Sequence, residues 1–173
     1  AEDFSQRAQY VKEAFRNTFF DKETLTVKGN CQTATAIMIF HGLAEKEEIP
    51  LLTARLVQQI EDNYGTLDFG ILGQKAVLNV LGENGYALTA LKMLTKEGFP
   101  SMRHWLDMGA TTLWECWNGG GSRNHHMFSS VSEFFYKYIA GIMPSKDARG
   151  FDNIIFNPPL DMPFNHAKAS INT

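Results

Sequence analysis

The side chains that could do chemistry fall close together: Glu115 between Trp114 and Trp117, then Asn124, His125 and His126, all in a stretch rich in glycine. A Glu flanked by indoles suits a sugar site. Aromatic faces stack on the apolar CH face of a pyranose, and a carboxylate beside it can act as general base, general acid or nucleophile. Asn and His add directional hydrogen bonds to hydroxyls. A lone Glu is ordinarily a solvated surface residue and a Trp ordinarily core. The concentration of all these types in one loop is what points to a site.

The other reactive types carry less. His125 and His126 are neighbours that point in different directions, and no further His, Asp or Glu completes a metal-ligand spacing, so no metal is expected. His41, His104 and His166 are isolated, and the expectation is structural or exposed positions. Asp107, just ahead of the motif, is a weaker candidate for a site role, the alternative being a cap on local backbone. Cys31 and Cys116 are too few and too far apart for a disulfide framework and read as ordinary buried or half-buried thiols.

The elements that must position the loop are helical. Phe4, Ala8, Val11, Phe15 and Phe19 recur every three or four residues, which predicts an amphipathic helix over Phe4 to Phe20. Further helices are predicted over Gln32 to Leu43, from Ile49-Pro50 to about Asn63, over Gln74 to Glu83 and over Tyr86 to Glu97. A short piece over Met102 to Met108 and a helix from Phe128 to Ala140 follow. Thr66 to Gly73 reads as a packed, apolar loop with two of the glycines, and Gly109 to Asn124 as a long irregular stretch. After Gly141 the prolines cluster and apolar residues such as Ile154 and Phe156 alternate, which predicts one or two β-strands.

Helix alternating with loop in this way builds bundles, α-solenoids or α/α barrels. In a barrel every second loop reaches the same end, so the two glycine-bearing loops are candidates for one shared site.

Composition agrees with a folded domain. The chain has 173 residues, 44% hydrophobic and 20% charged, enough for a sizeable core. A net charge of -3 gives no electrostatic reason for a nucleic acid or anionic membrane partner. No apolar run approaches the roughly 20 residues of a membrane span. Ala1-Glu2-Asp3 lacks the basic and apolar regions of a signal peptide, and the missing initiator Met points to a start upstream.

The run Gly109 to Trp117, G-A-T-T-L-W-E-C-W, is similar to the signature of the bacterial α-L-rhamnosidases, family 78 of the glycoside hydrolases, with Cys116 where the family usually has Arg. Gln32-Thr33 resembles the family's Q-T-A segment, and Gly70-Ile71-Leu72-Gly73 its G-F-L-G loop. Phe99-Pro100-Ser101 resembles its Y-P-S-W segment, with Met102 in place of the Trp. Asn124-His125, Val131, Glu133 and Phe134-Phe135-Tyr136 follow in the family's order. Gly150-Phe151-Asp152 to Pro158 and Ala167-Lys168-Ala169-Ser170 resemble its passage into a C-terminal β-domain.

The resemblance implies an all-α fold of (α/α)6-type hairpins, an incomplete barrel over residues 1–143, with a short β segment over 144–173 that begins a β-sandwich domain. It implies inverting hydrolysis of terminal α-L-rhamnosides without a cofactor. Glu115 would be the general base and His125 a sugar contact, with Trp114, Trp117 and Asn124 shaping the substrate site. The expected partner is a rhamnose-containing glycoside. The family's general acid lies upstream of the matching region, and no segment of this chain corresponds to it, so the chain alone is expected to be inactive. The exposed edges of half a barrel would favour self-association. The alternative is a helical carbohydrate-binding or interaction protein that keeps the loop without catalysis.

Overall fold

The computed structural model describes residues 2–171, so Ala1 and the last two positions of the C-terminal segment lie outside the described residues. Helix α1 runs Glu2–Phe19, α2 Gln32–Phe40, α3 Ile49–Asp62, α4 Ile71–Glu83, α5 Ala87–Thr95, α6 Met102–Asp107 and α7 Ser130–Phe134. Strands are short and paired antiparallel: β1 Phe20–Asp21 with β2 Thr26–Val27, and β3 Ile142–Pro144 with β4 Ile154–Phe156. The predicted all-α hairpin architecture with a short β segment is what forms. No helix among the described residues is long and apolar enough to cross a membrane.

The layers follow from how apolar each helix is. Helix α4 buries eight of its 13 residues, among them Ala76, Val77, Leu78, Val80 and Leu81. It packs between α2, α5 and α7, while α3 covers α2. Helix α3 is amphipathic instead and buries Leu52, Thr53, Leu56 and Ile60 along one stripe. Helices α2, α4 and α7 thus form an inner row. Each fully buried Leu contributes roughly 1.5–3 kcal/mol.

Three departures from the sequence reading have physical causes. Residues Ile71 to Gly73 belong to α4, not to the loop before it. Gly73 lies inside the helix because α2 comes so close: a Cβ there would sit 2.3 Å from Thr33 Oγ1 and 2.5 Å from Phe69 Cβ. The polar connection after α1 is a small hairpin, turned by Asp21, whose Oδ1 accepts the N–H groups of Glu23 and Thr24 at 2.9 and 3.2 Å. The last helix is broken up: a 3₁₀ turn over His126–Phe128, α7, then a π turn over Phe135–Ile139. This winding still buries Phe134, Tyr138 and Ile139. Tyr138 fits against Gly82, where a Cβ would be 2.4 Å from its ring, and its hydroxyl donates to Asn79 Oδ1 at 3.0 Å.

Helix α1 is tethered by charge. Its predicted apolar stripe is mostly in solvent: Phe15 is half-buried against the core, but Phe4 is 73% and Val11 58% exposed. Arg16 instead pairs with Glu48 through two contacts, 2.7 and 2.8 Å. The guanidinium holds the Glu48 carboxyl below the usual carboxylate range.

Candidate active site

Helix α6 ends at Asp107, and the chain from Gly109 to His125 folds back on itself. The His125 N–H donates to Leu113 O at 2.7 Å, and the Glu115 N–H to Ser122 O at 2.8 Å. The Thr112 hydroxyl donates to Arg123 O. Two glycines make the tip possible. Gly119 and Gly121 both have positive φ, +76° and +70°. A Cβ at Gly119 would lie 2.9 Å from the Trp114 ring, and one at Gly121 only 2.5 Å from Glu115 Oε2.

Beneath the tip is an aromatic cluster. Trp105 of α6 stacks on Trp117 with centroids 4.5 Å apart, and Phe128 meets both rings edge-on at 5.2 and 4.8 Å. Trp114 packs against Trp105 at 6.1 Å, and the Arg123 guanidinium covers it at 4.8 Å. The Trp105 indole N–H reaches the carbonyls of Cys116 and Trp117 at 3.3 and 3.0 Å. The Trp117 indole N–H donates to Phe69 O at 2.7 Å. Aromatic pairs and buried N–H groups with partners make a rigid base.

Glu115 sits on that base with its side chain 41% exposed. Its Oε2 accepts the Ser122 N–H at 2.8 Å. His125 Nδ1 lies 4.0 Å from the same oxygen, beyond hydrogen-bond distance but close enough to share a ligand. Among the described residues no hydrogen bond reaches Oε1. The carboxylate therefore has one anchored oxygen and one free to take a proton. Asn124 is exposed beside His125, with its N–H donating to Ser122 Oγ at 3.3 Å.

The second glycine-bearing loop reaches the same end, as a barrel requires. Gln32, fully buried at the start of α2, donates its amide to Thr66 O at 2.9 Å and accepts the Asp68 N–H at 3.2 Å. The Gln32 N–H in turn donates to Asp68 Oδ2 at 3.2 Å. Asp68 is exposed as a residue, yet its carboxyl lies against the helix start, and partial loss of water pushes its pKa up against the lowering by Gln32. Lys96 Nζ donates to Tyr64 O and Thr66 Oγ1, both at 2.5 Å, joining the segment after α5 to this loop.

Of the residues singled out from sequence, the structure brings Glu115, Asn124 and His125 to one solvent-facing tip. It places Trp114, 4% exposed, within the aromatic base, where its ring has no open face to offer a sugar. Trp117 is half-buried in the same base. Asp107 does not cap backbone but pairs with Arg103 at 2.7 Å, four residues back on the same helix. Cys116 is exposed rather than half-buried, because its carbonyl makes the contact with Trp105. Cys31 is half-buried as expected. Sequence reading missed Trp105, Phe69, Asp68 and Gly121, and it picked out Gln32 only as part of a family-like segment, without its role in holding the loop. For Gly121 the run Gly119-Gly120-Gly121 was a usable signal; the others depend on contacts between segments distant in sequence.

Residues 1–139 match the family described as the bacterial alpha-L-rhamnosidase 6 hairpin glycosidase domain. An alpha-L-rhamnosidase of Alteromonas sp. (strain LOR) is 30% identical, covering 100% of this chain and 20% of that protein. One from Streptomyces avermitilis is 31% identical over 86% of this chain and 15% of its own length. The chain thus spans a fifth or less of these relatives. Among solved structures, the S. avermitilis alpha-L-rhamnosidase complexed with L-rhamnose superposes with a TM-score of 0.82 at 29% identity, over 91% of this chain and 16% of that one. The alpha-L-rhamnosidase from Dictyoglumus thermophilum gives 0.77 at 30%, over 91% and 18%.

Proposed function

The chain belongs to the bacterial alpha-L-rhamnosidase 6 hairpin glycosidase domain family, and on that premise we propose that it supplies the general-base half of an inverting α-L-rhamnosidase active site. Glu115 is the base. The observation that carries this reading is the one-sided fixing of its carboxylate: Oε2 is bound by Ser122 N–H at 2.8 Å, while among the described residues no hydrogen bond reaches Oε1 of this partly exposed side chain.

An inverting glycosidase needs two carboxyl groups about 6.5–9.5 Å apart, one to protonate the leaving oxygen and one to activate water on the opposite face of the ring. Glu115 Oε1 takes the proton from that water as it attacks the anomeric carbon. His125 and Asn124, beside it, hold sugar hydroxyls, while Trp114 and Trp117 shape the site from beneath. The general acid comes from the upstream part of the barrel. Residues 144–173 begin a C-terminal β-domain. The rhamnose complex of the S. avermitilis relative supports a rhamnoside as substrate.

The test is hydrolysis of an aryl α-L-rhamnoside by the full-length protein that carries this domain, with the product anomer followed by proton NMR. Release of β-L-rhamnose first is expected. Release of the α anomer first would overturn inversion. Rhamnose binding without turnover would favour a carbohydrate-binding role instead.

A further inference from the structure

From the hydrogen bonds beneath Glu115 we infer that Trp117 is a positioning residue for the base, acting through the carbonyl of Phe69 rather than through a sugar. The inference rests on the reading of Glu115 as general base.

Glu115 is fixed to its own loop twice, by its N–H to Ser122 O and by Ser122 N–H to its Oε2, each 2.8 Å. Those bonds set the carboxylate relative to the loop, not relative to the rest of the barrel. Something else must place the loop. Trp105 does so from α6, through its indole N–H to the carbonyls of Cys116 and Trp117. That tie stays within one local segment, residues 105–117. Trp117 is the residue that crosses to a different hairpin: its indole N–H meets Phe69 O at 2.7 Å.

Phe69 is a fixed acceptor. It is 2% exposed and lies one residue before Gly70, the N-cap of α4. The segment before it is locked to the start of α2 by the three bonds between Gln32 and Thr66 or Asp68. One indole therefore refers the position of Glu115 to the beginnings of two inner helices. One face of the ring is taken by Trp105, which stacks on it at 4.5 Å, and Phe128 meets it edge-on at 4.8 Å.

The geometry explains why such a tie matters here. Inversion depends on the spacing between a base on this loop and an acid on another part of the barrel, and a displacement near 1 Å at a reacting group can cost about 10²-fold in rate. A lost tie should lower turnover more than it weakens ground-state binding of the sugar, because inversion depends on spacing to the acid more steeply than the hydroxyl contacts of His125 and Asn124 do.

The experiment uses the full-length protein and an aryl α-L-rhamnoside, with Trp117→Phe and with Trp117 replaced by 3-benzothienylalanine, which keeps the shape and stacking of indole but has no N–H. Glu115→Gln is run beside them. The expected result for the isostere is a fall in kcat of about 10- to 100-fold, a KM within about threefold of wild type, and an unfolding midpoint lowered at most slightly, with the protein still folded at the assay temperature. Trp117→Phe should lose at least as much. If the isostere keeps wild-type kcat while Glu115→Gln is inactive, the positioning role is overturned and the base assignment stands. A rise in KM at constant kcat would also overturn it, showing that Trp117 binds sugar. If Glu115→Gln is fully active, the base assignment itself fails and the inference with it.

Discussion

The backbone N–H of Ser122 lies 2.8 Å from Oε2 of Glu115, and the residue just before it, Gly121, has no room for a side chain: a Cβ would fall 2.5 Å from the same oxygen. The carboxylate and the turn are built around each other. Gly121→Ala should therefore push the carboxylate off Ser122 and strain a backbone held at φ +70° by about 1–2 kcal/mol. In the full-length protein we expect kcat to drop by about 10²-fold with the domain still folded. Steady-state kinetics and circular dichroism on the variant check both parts.

Arg16 and Glu48 couple the first helix to acid stability. Glu48 is 7% exposed and its pKa is lowered, chiefly by the hydrogen bond from Arg16. A carboxyl with a folded pKa below its unfolded one stabilises the fold above the unfolded value, near 4.3, and that contribution fades as pH falls through the folded value. Urea midpoints should fall below about pH 4.5 for this reason among others. Arg16→Met should cost about 2–3 kcal/mol at pH 7, less than a fully buried pair because both side chains keep some solvent, and should flatten the acid dependence. Midpoints for both chains at pH 7 and pH 3.5 test this.

The surface of the 173-residue chain predicts association. Phe4, Tyr10 and Val11 on α1 are 73%, 73% and 58% exposed, and on the opposite end of the helix order an apolar cavity opens between α6, Leu113, Val131 and Phe135. Apolar area of this kind on a lone domain favours self-association or docking of the remaining barrel in trans. Light scattering across a concentration series should show species larger than a monomer. A compact monomer at high concentration would mean that these faces need no partner.

Close helix approach makes a fourth prediction. Gly73→Ala should destabilise by about 1–3 kcal/mol, since the added methyl meets Thr33 Oγ1 at 2.3 Å between two inner helices. Thermal unfolding of the variant against wild type measures it.

Gly73 also shows where the sequence was readable and where it was not. The helical pieces were legible because their apolar residues repeat at helical spacing, as in Leu52, Leu56 and Ile60 of α3. Gly70 and Gly73 together read as loop, because the reason for Gly73, the nearness of Thr33, belongs to another helix. The same limit applies at the site. Glu115, Asn124 and His125 stood out as a local cluster of chemical types. Trp114 looked like a sugar platform by type, but its burial under Arg123 is tertiary. The partners that place the loop, Phe69 and Gln32, offer a backbone carbonyl and a buried amide; Gln32 showed only as part of a family-like segment, and the contacts of both are tertiary.

The central claim is that Glu115 takes the proton from the attacking water. Glu115→Gln keeps the side chain's size and its hydrogen bond from Ser122 but cannot accept that proton. Its kcat on an aryl α-L-rhamnoside, measured in the full-length protein beside its unfolding midpoint, is the most direct measurement. We predict a fall of about 10²- to 10⁴-fold with unchanged stability; a folded variant with near-wild-type kcat would contradict the assignment.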